Sequence, residues 1–174
     1  MICKAFALPY VGMMQLKQLR PDFLNRHRFI SIIEPRPSPW CDLDLGKPIF
    51  SEDTQRTITL RYDEMAPSMF ATLEEYERVV ADCRARNGTE FVVFDEHHAD
   101  RVIDFLVSAH KAPEKERLFV NCILGVARSG AIIRFAADVL HLDEAQFVEM
   151  NPDILPHEHS LALLHERWRA RGLS

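Results

Sequence analysis

Short apolar runs alternate with longer segments of helical spacing along this chain. Strands are predicted by three runs of apolar or alternating residues, at 2–8, 28–34 and 56–62. A continuous apolar run at 117–121 predicts a buried strand that leads into Cys122. A shorter apolar run at 90–94 predicts a further strand.

Between these runs, apolar residues recur at the spacing of one helix face. The helices predicted in this way cover residues 11–19, 72–86, 96–111, 130–141, 143–150 and 157–171. Thr72 and Glu75 form a capping box at the start of the second helix, and Asp95 stands where an N-cap would precede the third. A proline-rich segment at 35–48 predicts a loop.

Strands that alternate with helices indicate the α/β class. The sequence therefore predicts a central, mostly parallel sheet flanked by helices. The chain has 174 residues, a length that suits one domain spanning residues 1–174. Its hydrophobic fraction of 47% is enough to build a sizeable core for such a domain.

The charge of the chain narrows the choice of partners. The net charge is −5 and no block of lysine or arginine occurs, so nucleic acid and anionic membrane surfaces are not expected partners.

No apolar window reaches the length of a membrane span, and the N-terminus, which carries Pro9, is interpreted as a strand rather than a signal peptide. Four widely spaced cysteines form no metal-binding pair and fit a reducing compartment, so the expected location is the cytoplasm.

The stretch LFVNCILGVARSGAII, residues 118–133, carries the strongest chemical signal. A strand, a short loop and a helix in this order aim free backbone N–H groups at an anion. Gly125 lets the loop turn tightly, and Arg128 offers a planar fork of donors that matches two phosphate oxygens. A free thiol has a pKa of about 8.5, and a cysteine at the mouth of such a cradle is expected to have a lower one.

The segment from Cys122 to Gly130 resembles the C-x5-R-S/T signature loop of cysteine-based protein tyrosine and dual-specificity phosphatases. The segments RFISIIEP, TLRYDEM and HADRVIDFL also resemble small bacterial predicted tyrosine phosphatases of this fold. The resemblance implies a dual-specificity-phosphatase-like fold. It also implies metal-independent hydrolysis of a phosphomonoester, on a phosphorylated protein or a small molecule, without a cofactor.

The same resemblance implies a role for each residue of the loop. Cys122 would attack phosphorus and form a phosphocysteine, and Arg128 would tighten on the phosphoryl oxygens in the transition state. Ser129 would hydrogen-bond the cysteine sulfur and make it a better leaving group in the second step. Backbone amides would hold the three equatorial oxygens, and they belong to Ile123, Leu124, Gly125, Val126, Ala127 and Arg128.

The family also uses an upstream aspartate as general acid, and two residues are candidates. Asp63 follows the TLRY strand, where the resembling phosphatases carry an acidic residue before a loop, and it is the favoured candidate. Asp95 is the alternative because it lies closer to Cys122 in sequence, although a helix N-cap would explain it equally well. A turn position would likewise explain Asp63.

One residue departs from the family pattern and keeps two other functions open. The family usually has histidine before the cysteine, whereas this chain has Asn121. That difference and the two candidates for the general acid motivate the alternative of a pseudophosphatase, which would bind phosphorylated ligands and turn them over slowly. A rhodanese-like sulfur transferase is a third hypothesis, and the Arg-Ser-Gly ending of the loop argues against it.

Two clusters rich in histidine could suggest metal sites. The first spans residues 95–100 and the second spans residues 157–165. Adjacent histidines on a helix point in different directions, and neither cluster has HExxH spacing. No metal is therefore expected, and the second cluster is expected to line the exposed face of the last helix.

Overall fold

A computed structural model of the chain describes residues 1–35, 47–65, 67–87, 91–110 and 112–173. Within these residues, the predicted helices and strands are present with one exception, and a short helix, α2, is added. The bounds are β1 Ile2–Pro9, α1 Tyr10–Leu19, α2 Pro21–Leu24, β2 Arg28–Ile33, β3 Thr57–Arg61, a 3-10 turn Pro67–Met69, α3 Leu73–Asn87, α4 Glu96–His110, β4 Glu116–Cys122, α5 Arg128–Val139, α6 Glu144–Met150 and α7 Glu158–Ala170. Most of the predicted loop at 35–48, including Trp40 and Cys41, lies outside the described residues.

The four strands form one parallel sheet in the order β1-β4-β2-β3. In the register, Cys122 stands beside Pro9 on one side, and Asn121 stands beside Ser31 on the other. Because all strands run the same way, their carboxyl ends meet at one edge, where sites form in parallel sheets. The α/β class and the parallel sheet flanked by helices are confirmed.

Both faces of the sheet are covered by apolar side chains. On β2, Ile30 and Ile32 belong to the core shared with α4, α5 and α7. Phe29 and Ile33 belong to a second cluster, which packs against α1. The sequence RFISII is therefore buried at every position, as expected for a strand inside a parallel sheet with two covered faces.

Two predicted helix starts are confirmed by their hydrogen bonds. Thr72 Oγ1 accepts from the backbone N–H of Glu75 at 3.1 Å, which caps α3. Asp95 Oδ1 accepts from the backbone N–H of His98 at 3.0 Å, which caps α4. Both caps satisfy N–H groups that have no partner inside the helix.

The strand predicted at 90–94 is wrong for the residues that the structure describes. Residues 91–95 have no regular secondary structure. Val92 is tied to Asp63 instead, because its carbonyl accepts from the Asp63 N–H at 2.7 Å and its own N–H donates to Asp63 Oδ2 at 2.8 Å. The side chain of Phe94 is buried in the core. The apolar residues at 91–94 therefore contribute to packing, although they do not form a strand of the sheet.

The amino edge of the sheet is joined by a buried ion cluster. Glu116, which begins β4, is 1% exposed and accepts from Arg28 Nε at 2.7 Å and from Arg56 Nη1. Burial opposes the charge of Glu116, but the hydrogen bonds of the two arginines hold its pKa below the ordinary value.

Of the described helices, none is both long and apolar enough to cross a membrane.

Candidate active site around Cys122

Cys122 ends β4 and lies at the carboxyl edge between two neighbouring strands. It is 2% exposed, and the loop 123–127 separates it from the first residue of α5, Arg128. The positive end of the α5 dipole therefore faces the loop. This is the strand, loop and helix arrangement that the sequence predicted.

The loop turns back over the cysteine sulfur. The backbone N–H of Gly125 donates to Cys122 Sγ at 3.3 Å, and Ser129 Oγ lies 3.2 Å from the same sulfur. The contact expected between Ser129 and the sulfur is thus present, whereas its role in catalysis stays a prediction.

Gly125 is required in this loop for two separate reasons. Its φ is +78°, a conformation that L side chains rarely adopt. A Cβ at this position would also lie 2.5 Å from the backbone carbon of Leu8. The loop consequently packs directly on the end of β1.

Arg128 is almost completely buried, and other strands hold its guanidinium in place. Nη1 donates to the carbonyl of Tyr62 at 2.9 Å, and Nη2 donates to Glu34 Oε1 at 2.7 Å. Nε lies 3.6 Å from Glu64 Oε2 and has no hydrogen-bond partner within the described residues. Burial opposes the charge, but the carboxylate of Glu34 holds the pKa of Arg128 above its ordinary value.

Glu34, Tyr62 and Glu64 were missed by the sequence reasoning. They follow β2 and β3, which places them at the carboxyl edge of the sheet beside Cys122. Each lies at or just after the end of a predicted strand, and this position was the only sign of their role in the sequence. Placing them beside Cys122 also requires the order of the strands in the sheet, which the structure supplies. Burial raises the pKa of the Tyr62 phenol well above its ordinary value.

His157 was predicted on an exposed face, and this interpretation is wrong. The residue caps α7, and its backbone N–H donates to the carbonyl of Ala127 at 3.1 Å. Its Nδ1 lies 2.8 Å from Ser160 Oγ, while Nε2 is buried without a hydrogen-bond partner in the described part of the chain. Burial lowers the pKa of His157, so a neutral imidazole lies against the loop.

The two predicted general acids occupy different surroundings. Asp63 is 6% exposed and lies between Tyr62 and Glu64, so it belongs to the segment that holds Arg128. Asp95 caps α4 and pairs with His98 Nδ1 at 2.6 Å. Burial opposes the charge of Asp95, but the hydrogen bonds from His98 hold its pKa below the ordinary value.

Asn121 points away from the face that carries Cys122, because neighbouring residues of a strand alternate. It is fully buried, and neither Oδ1 nor Nδ2 has a hydrogen-bond partner in the described ranges. The hydroxyl of its register neighbour Ser31 is equally buried and unpartnered among the described residues. Asn121 therefore makes no side-chain hydrogen bond to the described loop.

A cavity of about 250 Å³ adjoins the outer side of the loop. Its lining includes Pro9, Leu124, Gly125, Val126 and Asn151. A larger cavity of about 560 Å³ lies at the opposite edge of the sheet, where β3 begins. Of these two cavities, the one beside the Cys122 loop is therefore the smaller.

Several histidines of the two clusters have ordinary structural partners. His98 is hydrogen-bonded to Asp95, and its Nε2 lies 3.1 Å from the carbonyl of Arg61. His165 Nε2 lies 3.1 Å from Asp138 Oδ2. In the described residues, no group of three or more histidine, cysteine, aspartate or glutamate side chains is placed to hold a metal ion.

The chain matches no family model, and neither a curated protein nor a solved structure matches it. The geometry around Cys122 and the sequence of its loop are consequently what indicates the function of the chain.

Proposed function

We propose that this protein is a metal-independent phosphomonoester hydrolase of the protein tyrosine phosphatase type. Its substrate would be a phosphorylated protein or a small phosphomonoester. We further propose that the α/β sheet belongs to the dual-specificity-phosphatase-like folds. Cys3, Cys83 and Cys122 are free thiols, which fits the reducing cytoplasm as the working compartment.

The observation that carries this proposal is the set of donors around the sulfur and the buried arginine. The Gly125 N–H and the Ser129 hydroxyl surround Sγ, and the guanidinium that follows is charged and nearly inaccessible to water. A nucleophile beside a fixed positive charge suits attack on an anionic phosphoryl group. Nε of Arg128 and Nε2 of His157 are buried polar atoms at this site, and an oxyanion would give such donors an acceptor.

The reaction would proceed in two displacements at phosphorus. The sulfur of Cys122 forms the S–P bond while the bond from phosphorus to the ester oxygen breaks, and a general acid gives that oxygen its proton. Water then attacks the phosphocysteine, the same carboxylate takes a proton from it, and the S–P bond breaks. Inorganic phosphate leaves, and Ser129 stabilises the departing sulfur.

The first experiment measures hydrolysis of p-nitrophenyl phosphate in the presence of a chelator. Cys122→Ser should lower turnover more than about 10³-fold, because the nucleophile is lost. Cys83→Ser is the matched control, since this thiol lies on α3, away from the β4 edge, and its loss should leave turnover unchanged. Activity that needs a metal ion, or that survives Cys122→Ser, would refute the proposal.

The second experiment identifies the general acid. Asp63→Asn, Glu64→Gln and Asp95→Asn are compared on aryl phosphates whose leaving groups differ in basicity. Loss of the true acid should lower kcat/KM by about 10²-fold or more for the basic leaving groups and spare kcat/KM for p-nitrophenyl phosphate, whose leaving group departs without a proton. We expect this pattern for Asp63; the same pattern in Glu64→Gln or Asp95→Asn would reassign the role.

A pseudophosphatase is the second candidate, and the state of Arg128 favours it. Both Nη atoms already donate to groups of the protein, which leaves fewer of the five N–H donors of the guanidinium for a ligand. Asn121 also contributes no hydrogen bond to the described loop. Micromolar binding of a phosphotyrosine peptide, together with no burst of phosphate from the wild-type protein, would favour this alternative.

A further inference from the structure

Helix α3 is exposed or half-buried wherever the structure describes its side chains, whereas a globular helix of this length ordinarily packs an apolar face on the core. Of residues 73–85, whose side chains the structure describes, none is buried. Helix α4, which has the same length, buries seven residues in the core. An isolated helix of about 15 residues is only marginally stable in water, so α3 is expected to gain stability from a partner.

One face of α3 forms an open apolar hollow of about 400 Å³, which we call the α3 face. Its lining residues are Tyr76, Glu77, Val80, Ala81, Arg84 and Ala85. They follow the spacing i, i+1, i+4, i+5, i+8, i+9, which places them along one side of the helix. The ring centroid of Phe70 lies 5.5 Å from that of Tyr76.

The α3 face is complementary to itself when two copies run antiparallel. A two-fold axis between residues 80 and 81 places each bulky residue opposite a small one: Tyr76 opposite Ala85 and Val80 opposite Ala81. The same axis places Glu77 opposite Arg84 of the partner subunit, twice by symmetry. Such self-matching of size and charge is what an isologous interface requires.

We propose that the α3 face binds the α3 face of a second copy of this chain and forms an antiparallel, two-fold symmetric dimer. A helix of 15 residues is about 22 Å long, and two such helices bury less surface than a standard interface. The dimer is therefore weak and depends on protein concentration. This inference does not depend on the proposed phosphatase activity.

Sedimentation equilibrium over a wide range of concentrations tests the dimer. The wild type should shift toward the dimer mass as the concentration rises. Glu77→Arg and Arg84→Glu should each weaken association at least tenfold, because each variant places like charges opposite one another. An equimolar mixture of the two variants should dimerise again, since every facing pair is then of opposite charge.

Recovery on mixing separates a broken interface from a broken fold, because two unfolded variants would not rescue each other. Asp82→Arg is the matched control, since it makes the same charge change as Glu77→Arg on the other side of α3 and should leave association unaltered. A wild type that stays monomeric at all concentrations would overturn the proposal. So would a mixture that fails to associate, or a Glu77→Arg variant whose only effect is a lower melting temperature, which would indicate that a segment of the same chain covers the face.

Discussion

The guanidinium of Arg128 is a buried charge whose position is determined by two other strands. The carbonyl of Tyr62 and the carboxylate of Glu34 together engage both of its terminal nitrogens. A buried charge is tolerated only when it is paired in this way. With both terminal nitrogens held in this way, Nε lies on the side of Glu64. The carboxylates of Glu34 and Glu64 therefore determine from which side an anion can bind the guanidinium.

Two substitutions of Glu34 separate positioning from charge. Glu34→Gln keeps an oxygen for Nη2 but removes a negative charge, so inorganic phosphate should inhibit about three- to tenfold more strongly. Glu34→Ala also removes the acceptor, so turnover should fall because Arg128 loses its position. Inhibition constants and kcat measured on both variants check this, and equal behaviour of the two would contradict it.

Ser31 is a buried hydroxyl with no hydrogen-bond partner among the described residues. Ser31→Ala removes that desolvated group with little change in volume, so stability should stay the same or rise by up to about 1 kcal/mol. Urea denaturation measures the difference. A loss of stability would show that the hydroxyl has a partner in the folded protein.

At the scale of elements, the loop 123–127 owes its shape to close approach as well as to its own sequence. The end of β1 lies against Gly125, and the start of α7 holds the carbonyl of Ala127. Ser129 lies in the first turn of α5 and brings its hydroxyl to the sulfur. Three elements therefore fix the backbone that would cradle an anion.

Two glycines with positive φ give a matched pair of substitutions. Gly172 has a φ of +66°, and a Cβ added there would meet no atom within 4 Å, so Gly172→Ala carries only the cost of its conformation, about 1 kcal/mol. Gly125→Ala adds a clash with the Leu8 backbone and should cost more than about 3 kcal/mol, with loss of turnover. Denaturation and p-nitrophenyl phosphate assays compare the two, and equal effects would contradict the close packing.

At the scale of the whole molecule, the parallel sheet separates two charged regions. The carboxyl edge carries Cys122 and Arg128, while the amino edge carries the Glu116 cluster with its two arginines. Breaking a buried ion pair costs roughly 3–5 kcal/mol, so each cluster also fastens neighbouring strands. The candidate chemistry thus lies at the carboxyl edge, while ion pairs at both edges contribute to stability.

Stability should fall as the pH drops below about 6.5. His27 and His157 both have pKa values below the ordinary 6.5, because burial disfavours the charged ring. The unfolded chain therefore binds more protons in this range, and the stability present above pH 6.5 is lost as the pH falls through the lower folded values. Urea denaturation between pH 7.5 and 5 measures the slope, and a His27→Gln/His157→Gln double variant should flatten it; an unchanged slope would contradict this account.

Much of the fold was predictable because its elements follow local patterns. Most of residues 28–33 are β-branched or aromatic, and the caps at Thr72 and Asp95 involve residues three positions apart. The strand predicted at 90–94 failed for a different reason. Apolar periodicity indicates burial but not pairing in a sheet. Here the backbone N–H of Val92 donates to the side chain of Asp63 instead of to a neighbouring strand.

The sequence by itself determined the parallel α/β class, through its alternating elements, and the local chemistry of the segment from Cys122 to Ser129, because the two contacts to the cysteine sulfur join residues three and seven positions apart. Only the tertiary structure decided what surrounds Arg128. Glu34 and Tyr62 are 94 and 66 residues away from it along the chain, and they reach it through the strand order β1-β4-β2-β3. That order results from packing of the whole molecule, and no local period of apolar residues specifies it.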